Sequence, residues 1–143
     1  MDLVAHFRGA RNLVSVQAGI PLFREGEPGT SMYVLMEGSA SVLVAGEVIE
    51  VAMPGALLGE MALVDSSVRS ATVIARSDCR LLPINSTQFD VLVRESPVFA
   101  RHVMTVMAGR LRRTNQRLLE TVLSVPSVRE ILRPKAALGE PPP

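Results

Sequence analysis

The sequence predicts an α+β fold: an antiparallel β-roll, or jelly-roll barrel, with a short N-terminal helix and a long C-terminal helix. Between Ile20 and Ile84, short runs of β-prone residues alternate with turns that contain glycine or proline, a pattern typical of small antiparallel rolls. After Ile84 the apolar residues recur at helical spacing. The chain has 143 residues, of which 48% are hydrophobic, which is long enough to bury the core of one such domain.

The first elements follow from local patterns. Apolar residues at Leu3, Val4 and Phe7, and again at Leu13 and Val16, predict a short helix that leads into the roll. The predicted strands cover residues 33–36, 41–44, 48–51, 71–75 and 80–84. Glycine recurs in the turns between them because it adopts backbone angles that other residues avoid.

Two helices are predicted after the last strand. Asn85 and Gln88 have the spacing of a capping box, and Ser96 before Pro97 marks the start of a helix that continues to about Leu123. At about 1.5 Å per residue this helix is roughly 40 Å long. Its apolar stripe consists of Phe99, Val103, Val106, Met107, Leu111, Leu118 and Val122.

The outer half of this stripe needs a partner surface. We expect it to pack against the same helix of a second copy, so that the chain forms a homodimer through a short parallel coiled coil. Residues 1–125 are expected to form one domain that includes the long helix. Residues 126–143, which begin at Pro126, are expected to form a short flexible tail.

Composition and charge exclude several classes of function. The net charge of +1 argues against nucleic-acid binding by the whole surface, and a single cysteine, Cys79, excludes an internal disulfide and a four-thiolate metal site. The N-terminus lacks the features of a signal peptide, and no run approaches about 18 apolar residues, so we expect no membrane span and a cytoplasmic protein. Motifs of hydrolases and metalloproteases are absent from the sequence, and we expect no catalytic residue, metal or cofactor.

Residues 59–73 (GEMALVDSSVRSATV) are the most informative segment. Gly59 lets the backbone approach a ligand closely, and the turn after it can direct N–H groups at an anion. Arg69 supplies a planar fork of donors that matches phosphate oxygens. Glu60 only accepts hydrogen bonds when ionised, which suits ribose hydroxyls rather than phosphate. The segment therefore predicts a pocket for a phosphorylated sugar.

The same segment resembles the phosphate-binding cassette of cyclic nucleotide-binding domains, in which Gly-Glu-(Leu/Met)-Ala-Leu and a short loop precede Arg-(Ser/Ala/Thr)-Ala-Thr-Val. Residues 59–63 and 69–73 fill every position of that pattern, although Val68 stands where many members carry proline. Residues 19–38 are similar to the family's first strands, and residues 96–118 to its long C-terminal helix, so the resemblance covers roughly residues 10–122. It implies a regulatory domain that binds cAMP or cGMP reversibly, with cAMP favoured, and is not an enzyme.

The resemblance also implies which residues contact the ligand. The residues expected to meet the phosphate and ribose are Gly59, Glu60, Met61, Ala62, Arg69, Ser70 and Ala71. Those expected near the base are Val42, Ile49, Arg110, Thr114 and Asn115. In this scheme Glu60 accepts from the ribose 2′-hydroxyl, and the helix residues match positions near the ligand in regulators of the catabolite activator type. Val42 and Ile49 are equally compatible with an ordinary barrel core.

Alternatives from other classes stay open. In one alternative, the domain is a ligand-independent dimerisation or protein-interaction module. In the other, it is the detached regulatory domain of a channel or transcription regulator, with an unknown downstream protein. Met61, Ser70 and Thr72 match the cassette of bacterial cyclic nucleotide-gated potassium channels. The roughly 18 residues from Pro126 onward are too few for a helix-turn-helix domain, so nucleic-acid binding is not expected without an added domain.

Two further features of the sequence have both a functional and an ordinary structural interpretation. The arginines of the long helix are expected to form a solvated face rather than a nucleic-acid stripe. A haem site built from His6, His102 and Cys79 is disfavoured, because these residues are scattered while the cassette is intact.

Overall fold

Two antiparallel four-stranded sheets form the centre of the domain in the computed structural model, which describes residues 1–65 and 67–133. The first sheet contains, in spatial order, β1 (Val14–Val16), β8 (Cys79–Asn85), β3 (Ser31–Glu37) and β6 (Leu57–Leu58). The second contains β2 (Pro21–Phe23), β7 (Thr72–Ala75), β4 (Ala40–Val44) and β5 (Glu47–Ala52). The predicted antiparallel roll is confirmed.

The core consists of small and branched apolar side chains contributed by both sheets. Partly buried and fully buried positions alternate along β7, as the pleat of a strand requires when one face is more fully covered. The central cluster contains Leu35, Ala40, Val42, Ala52, Leu58, Val73, Ala75, Cys79 and Leu81. Because aromatic residues make up only 3% of the chain, these aliphatic contacts provide most of the apolar burial between the sheets.

The N-terminal segment differs in part from its prediction. The helix α1 covers only Leu3–His6, and the Asp2 carboxylate caps it by accepting from the Ala5 N–H at 3.1 Å. Val14–Val16, which the sequence pattern placed in a helical segment, forms β1 and pairs with β8, with Val14 opposite Leu81. The helical prediction was wrong here because pairing with a distant strand outweighs a weak local periodicity.

Four helices follow in the rest of the described chain: α2 (Glu60–Asp65), α3 (Ser86–Glu95), α4 (Pro97–Leu123) and α5 (Pro126–Ile131). The capping box at the start of α3 is confirmed, since Asn85 and Gln88 exchange two side-chain to backbone hydrogen bonds of 2.9 Å each. The Ser96 hydroxyl accepts from the Phe99 N–H at 3.2 Å and begins α4 as predicted. The short helix α5 lies within the segment that was expected to be a flexible tail, and residues 134–143 lie outside the described residues.

Two compact units make up the chain, Met1–Thr105 and a second unit that begins at Val106. In the first unit an aromatic cluster joins the helices: the ring centroids of Phe7 and Phe89 lie 6.4 and 6.2 Å from that of Phe99. Phe99 is completely buried. This cluster holds α1, α3 and the first turns of α4 together.

Candidate functional site

Two loops meet where the cassette was predicted. The first, residues 24–29, connects β2 to β3, and the second, residues 67–71, connects α2 to β7. The Gly26 N–H donates to the Arg69 carbonyl at 2.9 Å, and the Arg69 N–H donates to the Glu27 carbonyl at 2.8 Å. An antiparallel bridge between Pro28 and Val68 continues this pairing. The loop that lacks the family's usual proline at Val68 is therefore held by backbone pairing with residues 24–29.

The loop of residues 24–29 is itself fixed by three hydrogen bonds between side chains and backbone N–H groups. The Glu27 carboxylate accepts from the Arg24 N–H at 2.6 Å. The Thr72 hydroxyl accepts from the Glu25 N–H at 2.9 Å, and the Glu25 carboxylate accepts from the Ala45 N–H at 3.2 Å. Side chains thus take up backbone N–H groups that an irregular loop would otherwise leave to water.

Arg69 turns its side chain into this structure rather than into solvent. The residue is only 5% exposed. Its Nη1 donates to the Gly59 carbonyl at 3.1 Å, and its Cζ lies 4.1 Å from the centroid of the Phe23 ring and 5.9 Å from that of Tyr33. Among the buried side-chain nitrogen and oxygen atoms of residues 1–65 and 67–133, Arg69 Nε is the one without a hydrogen-bond partner.

Two glycines leave room for the guanidinium. Gly59 has a φ of +78°, which favours glycine, and a Cβ at this position would overlap Arg69 Nη1. Gly29 has no such backbone requirement, yet a Cβ there would lie 2.8 Å from Arg69 Cζ, Arg69 Nε and the Ala62 Cβ. With Arg69 in this orientation, the guanidinium occupies the space that a side chain at either position would fill.

The surroundings of Arg69 act on its charge in opposite directions. Burial lowers the pKa of Arg69 from its ordinary value, and the neighbouring Tyr33, Glu27 and Glu60 raise it in part. An arginine starts from so high a value that it stays protonated at neutral pH. The site consequently presents a permanent positive charge in a poorly hydrated environment, where an anion interacts with it more strongly than in water.

The remaining residues predicted for phosphate and ribose lie at or near the start of α2. Glu60 is the first residue of α2 and is 2% exposed, and Ala62 is also buried. Met61 is 41% exposed, and its sulfur accepts a long hydrogen bond of 3.7 Å from the Ser70 hydroxyl. Thioether sulfur is a weak acceptor, so this hydroxyl is easily redirected. Ala71, partly buried, packs against the core cluster just before β7.

The residues predicted near the base belong to different parts of the chain. Val42 on β4 is 8% exposed and belongs to the core cluster, and Ile49 on β5 packs against that cluster. The strands pair as neighbours, but a bulge places Val42 opposite Glu50 rather than Ile49. Arg110, Thr114 and Asn115 lie on α4 in the second unit, where the Thr114 hydroxyl donates to the Arg110 carbonyl at 2.9 Å.

Two features of the site were not predicted from the sequence: the aromatic rings beside the Arg69 guanidinium and the role of Gly29. Phe23 and Tyr33 contact or approach the guanidinium, and their ring centroids are 6.2 Å apart. The sequence feature that could have indicated these rings is the small number of aromatic residues: the chain has four phenylalanines, one tyrosine and no tryptophan. Two of these five rings stand on strands on either side of the glycine turn at residues 26–29.

The residues weighed for haem lie in ordinary structural settings. Cys79 is buried in β8, and its thiol donates to the carbonyls of Ser39 and Ser77 at 3.2 Å each. The ring of His6 packs edge-on against Phe7 at 4.8 Å.

None of the helices among the described residues is long and apolar enough to cross a bilayer.

The site has the fold and sequence of a known family. Residues 13–96 match the cyclic nucleotide-binding domain family. Because this match covers more than half of the chain, the chain belongs to that family, and the resemblance drawn from residues 59–73 is confirmed.

Individual relatives support the same conclusion. A cyclic nucleotide-gated potassium channel of Mesorhizobium japonicum is 44% identical over 86 residues, which are 60% of this chain and 24% of the channel. The cyclic AMP receptor protein of Thermus thermophilus is 31% identical over 105 residues, which are 70% of this chain and 49% of that protein. The crystal structure of the Thermus thermophilus catabolite activator protein has a TM-score of 0.67 at 26% identity, covering 78% of this chain and 60% of that one. The chain thus spans about a quarter of the channel and about half of the receptor.

Proposed function

We propose that this domain is a sensor that binds a cyclic nucleotide reversibly, with cAMP favoured over cGMP, and performs no reaction on it. One observation carries the proposal: the guanidinium of Arg69 is 5% exposed, and its Nε has no hydrogen-bond partner. Leaving a buried donor unpaired costs about 1–3 kcal/mol. A phosphodiester anion would accept from that donor and neutralise the charge, so the ligand would offset the cost.

The neighbouring groups suit the rest of a cyclic phosphate and its ribose. Ser70 is exposed beside Arg69, and its hydroxyl has only a thioether acceptor to exchange for a phosphate oxygen. We assign the ribose 2′-hydroxyl to the carboxylate of Glu60. The backbone of Gly59, Met61, Ala62 and Ala71 would line the phosphate end. The names of the relatives, a cyclic nucleotide-gated channel and a cyclic AMP receptor, support a ligand of this class.

We assign the purine end to Val42 and Ile49, which would supply apolar contact to the base. By family resemblance, Arg110, Thr114 and Asn115 of the long helix are proposed as polar contacts of the base, with Asn115 acting from a partner copy. Parallel titrations with cAMP and cGMP test the proposed preference for cAMP.

The signal would pass through the long helix and a dimer interface. Met104, Leu111 and Leu118 follow one another at intervals of seven residues along α4, and each is more than 60% exposed in the single chain. Residues at this interval occupy one of the two heptad positions that form the seam of a coiled coil. A ligand shifts the placement of this helix only by the difference between its affinities for the alternative states, typically about 1–3 kcal/mol. A downstream protein or domain would detect that shift.

Calorimetric titration with a panel of cyclic nucleotides tests the proposal. Wild-type protein should bind cAMP with a dissociation constant of about micromolar order. Arg69→Ala should lose most of that affinity because it removes the charge and the donors, while its unfolding transition stays cooperative. Arg80→Ala is the matched control, since Arg80 lies on β8 with an exposed side chain, 3.9 Å from Glu37, and its loss should leave affinity unchanged. Equal affinity of wild type and Arg69→Ala would refute the phosphate site.

The exposed heptad positions favour one second candidate, a dimerisation module that needs no ligand. In that case no cyclic mononucleotide or cyclic dinucleotide would raise the unfolding temperature, and the chain would dimerise equally with and without them. A ligand-dependent thermal shift excludes this candidate as the sole function.

A further inference from the structure

Phe23 stands apart from the other phenylalanines of the chain. Phe7, Phe89 and Phe99 pack on one another around the helices. Phe23, at the end of β2, instead lies under the Arg69 guanidinium, with Cζ 4.1 Å from its ring centroid. That distance is well inside the range of about 6 Å in which a cation over an aromatic face is attracted by the ring quadrupole.

We propose that Phe23 is a positioning residue that holds the plane of the Arg69 guanidinium and thereby sets the affinity of the site for the cyclic phosphate; this inference rests on the proposed function. A buried cation needs compensation for its lost hydration. Glu27 and Glu60 supply part of it through space, whereas a carboxylate hydrogen-bonded to the guanidinium would also occupy its donors. An aromatic face supplies it while leaving the N–H groups and the positive charge available to an anion.

Two contacts and one open space together define the orientation of the guanidinium. The ring of Phe23 fixes its tilt. The hydrogen bond of 3.1 Å from Nη1 to the Gly59 carbonyl fixes its rotation within the plane. The missing side chain at Gly29, where a Cβ would lie 2.8 Å from Cζ and Nε, leaves the space that this orientation needs. Nε remains without a hydrogen-bond partner, as expected of a donor that binds a ligand.

Titration of Phe23 variants with cAMP tests the inference. Phe23→Leu keeps apolar bulk but removes the aromatic face, and we expect its affinity to fall about tenfold. Phe23→Tyr keeps the face and should bind within about threefold of wild type. Phe89→Leu is the matched control because the same change occurs in a partly buried ring that contacts Phe99 and no cation. This variant should bind cAMP as wild type does.

A second background separates positioning from general packing. In Arg69→Lys the charge remains but the planar fork is lost, so adding Phe23→Leu should weaken binding by less than about threefold. An equal loss in both backgrounds, or equal losses for Phe23→Leu and Phe23→Tyr, would assign Phe23 a packing role and overturn the inference. So would wild-type affinity of Phe23→Leu while Arg69→Ala fails to bind, and in that case the proposed function stands. Absence of cyclic nucleotide binding by the wild type would overturn both.

Discussion

At the scale of single residues, the site is organised around the cost of burying a cation. The guanidinium of Arg69 is almost entirely removed from solvent, and four groups compensate it in part: the Gly59 carbonyl, the Phe23 ring and the neighbouring carboxylates of Glu27 and Glu60. None of these compensates Nε. An anionic ligand would complete this set of contacts, which is why we propose the arginine as a binding group rather than a structural one.

Cys79 illustrates a residue whose environment suppresses its chemistry. Burial raises the pKa of the Cys79 thiol, and the nearby Asp78 charge adds to the rise. Because the thiolate is the nucleophile, we expect folded protein at pH 8 to react with a disulfide reagent at least about tenfold more slowly than protein unfolded in urea. Equal rates in the two states would show that the thiol is accessible.

The raised pKa of the Cys79 thiol also makes the free energy of unfolding depend on pH. Below the unfolded-state value of about 8.5 both states carry the neutral thiol, and the contribution to stability is fully present. As the pH rises through the raised folded-state value, the unfolded state has already lost its proton, so this contribution is lost. Urea unfolding of Cys79→Ala should therefore show a weaker decline in stability at alkaline pH than wild type.

At the scale of elements, the loop of residues 24–29 links the strands to the cassette. It receives a hydrogen bond from the Arg69 N–H, donates one to the Arg69 carbonyl, and is tied to β7 through Thr72 and to the turn after β4 through Glu25. Strand pairing of β2 with β7 brings these groups together, with Phe23 opposite Val73. The position of the guanidinium thus depends on loop anchors that do not touch it.

Thr72→Val tests the importance of that anchoring. Valine has the same shape and a strong preference for strands, but it cannot accept the 2.9 Å hydrogen bond from the Glu25 N–H. We expect a loss of roughly 1 kcal/mol in the free energy of unfolding and a weaker affinity for cAMP. Thr72→Ser retains the hydroxyl and should restore the affinity. If Thr72→Val bound cAMP as tightly as wild type, the loop would not need this anchor.

At the scale of the whole molecule, the long helix α4 carries exposed apolar side chains that a partner surface would cover. Phe99 and Val103, near its start, are buried in the first unit, whereas Met104, Leu111 and Leu118 are exposed in the single chain. A two-fold pairing of this helix would bury the exposed residues in a heptad seam. The apolar side chains of α4 would then serve two purposes, core packing at the start of the helix and the proposed dimerisation along the rest.

Sedimentation of a seam variant tests the proposed dimer. Leu118→Arg places a charge in the seam and should convert a dimeric wild type into a monomer. Gln116→Arg introduces the same charge two residues away, which at about 100° per residue faces away from the seam, and it should remain dimeric. A wild type that sediments as a monomer with and without cAMP would contradict the proposal.

Local chemistry by itself determined the class of fold, most of the strands, the capping box at Asn85 and the cassette at residues 59–73. These features depend on the period of apolar residues, the backbone freedom of glycine and the hydrogen-bonding capacity of side chains at short spacings, all of which are readable along the chain. Only the tertiary structure decided that Val14–Val16 is a strand, that Phe23 lies under Arg69 and that Gly29 leaves space for it. The physical reason is distance along the sequence: Phe23 and Arg69 meet because β2 pairs with β7, and no local pattern encodes such a pairing.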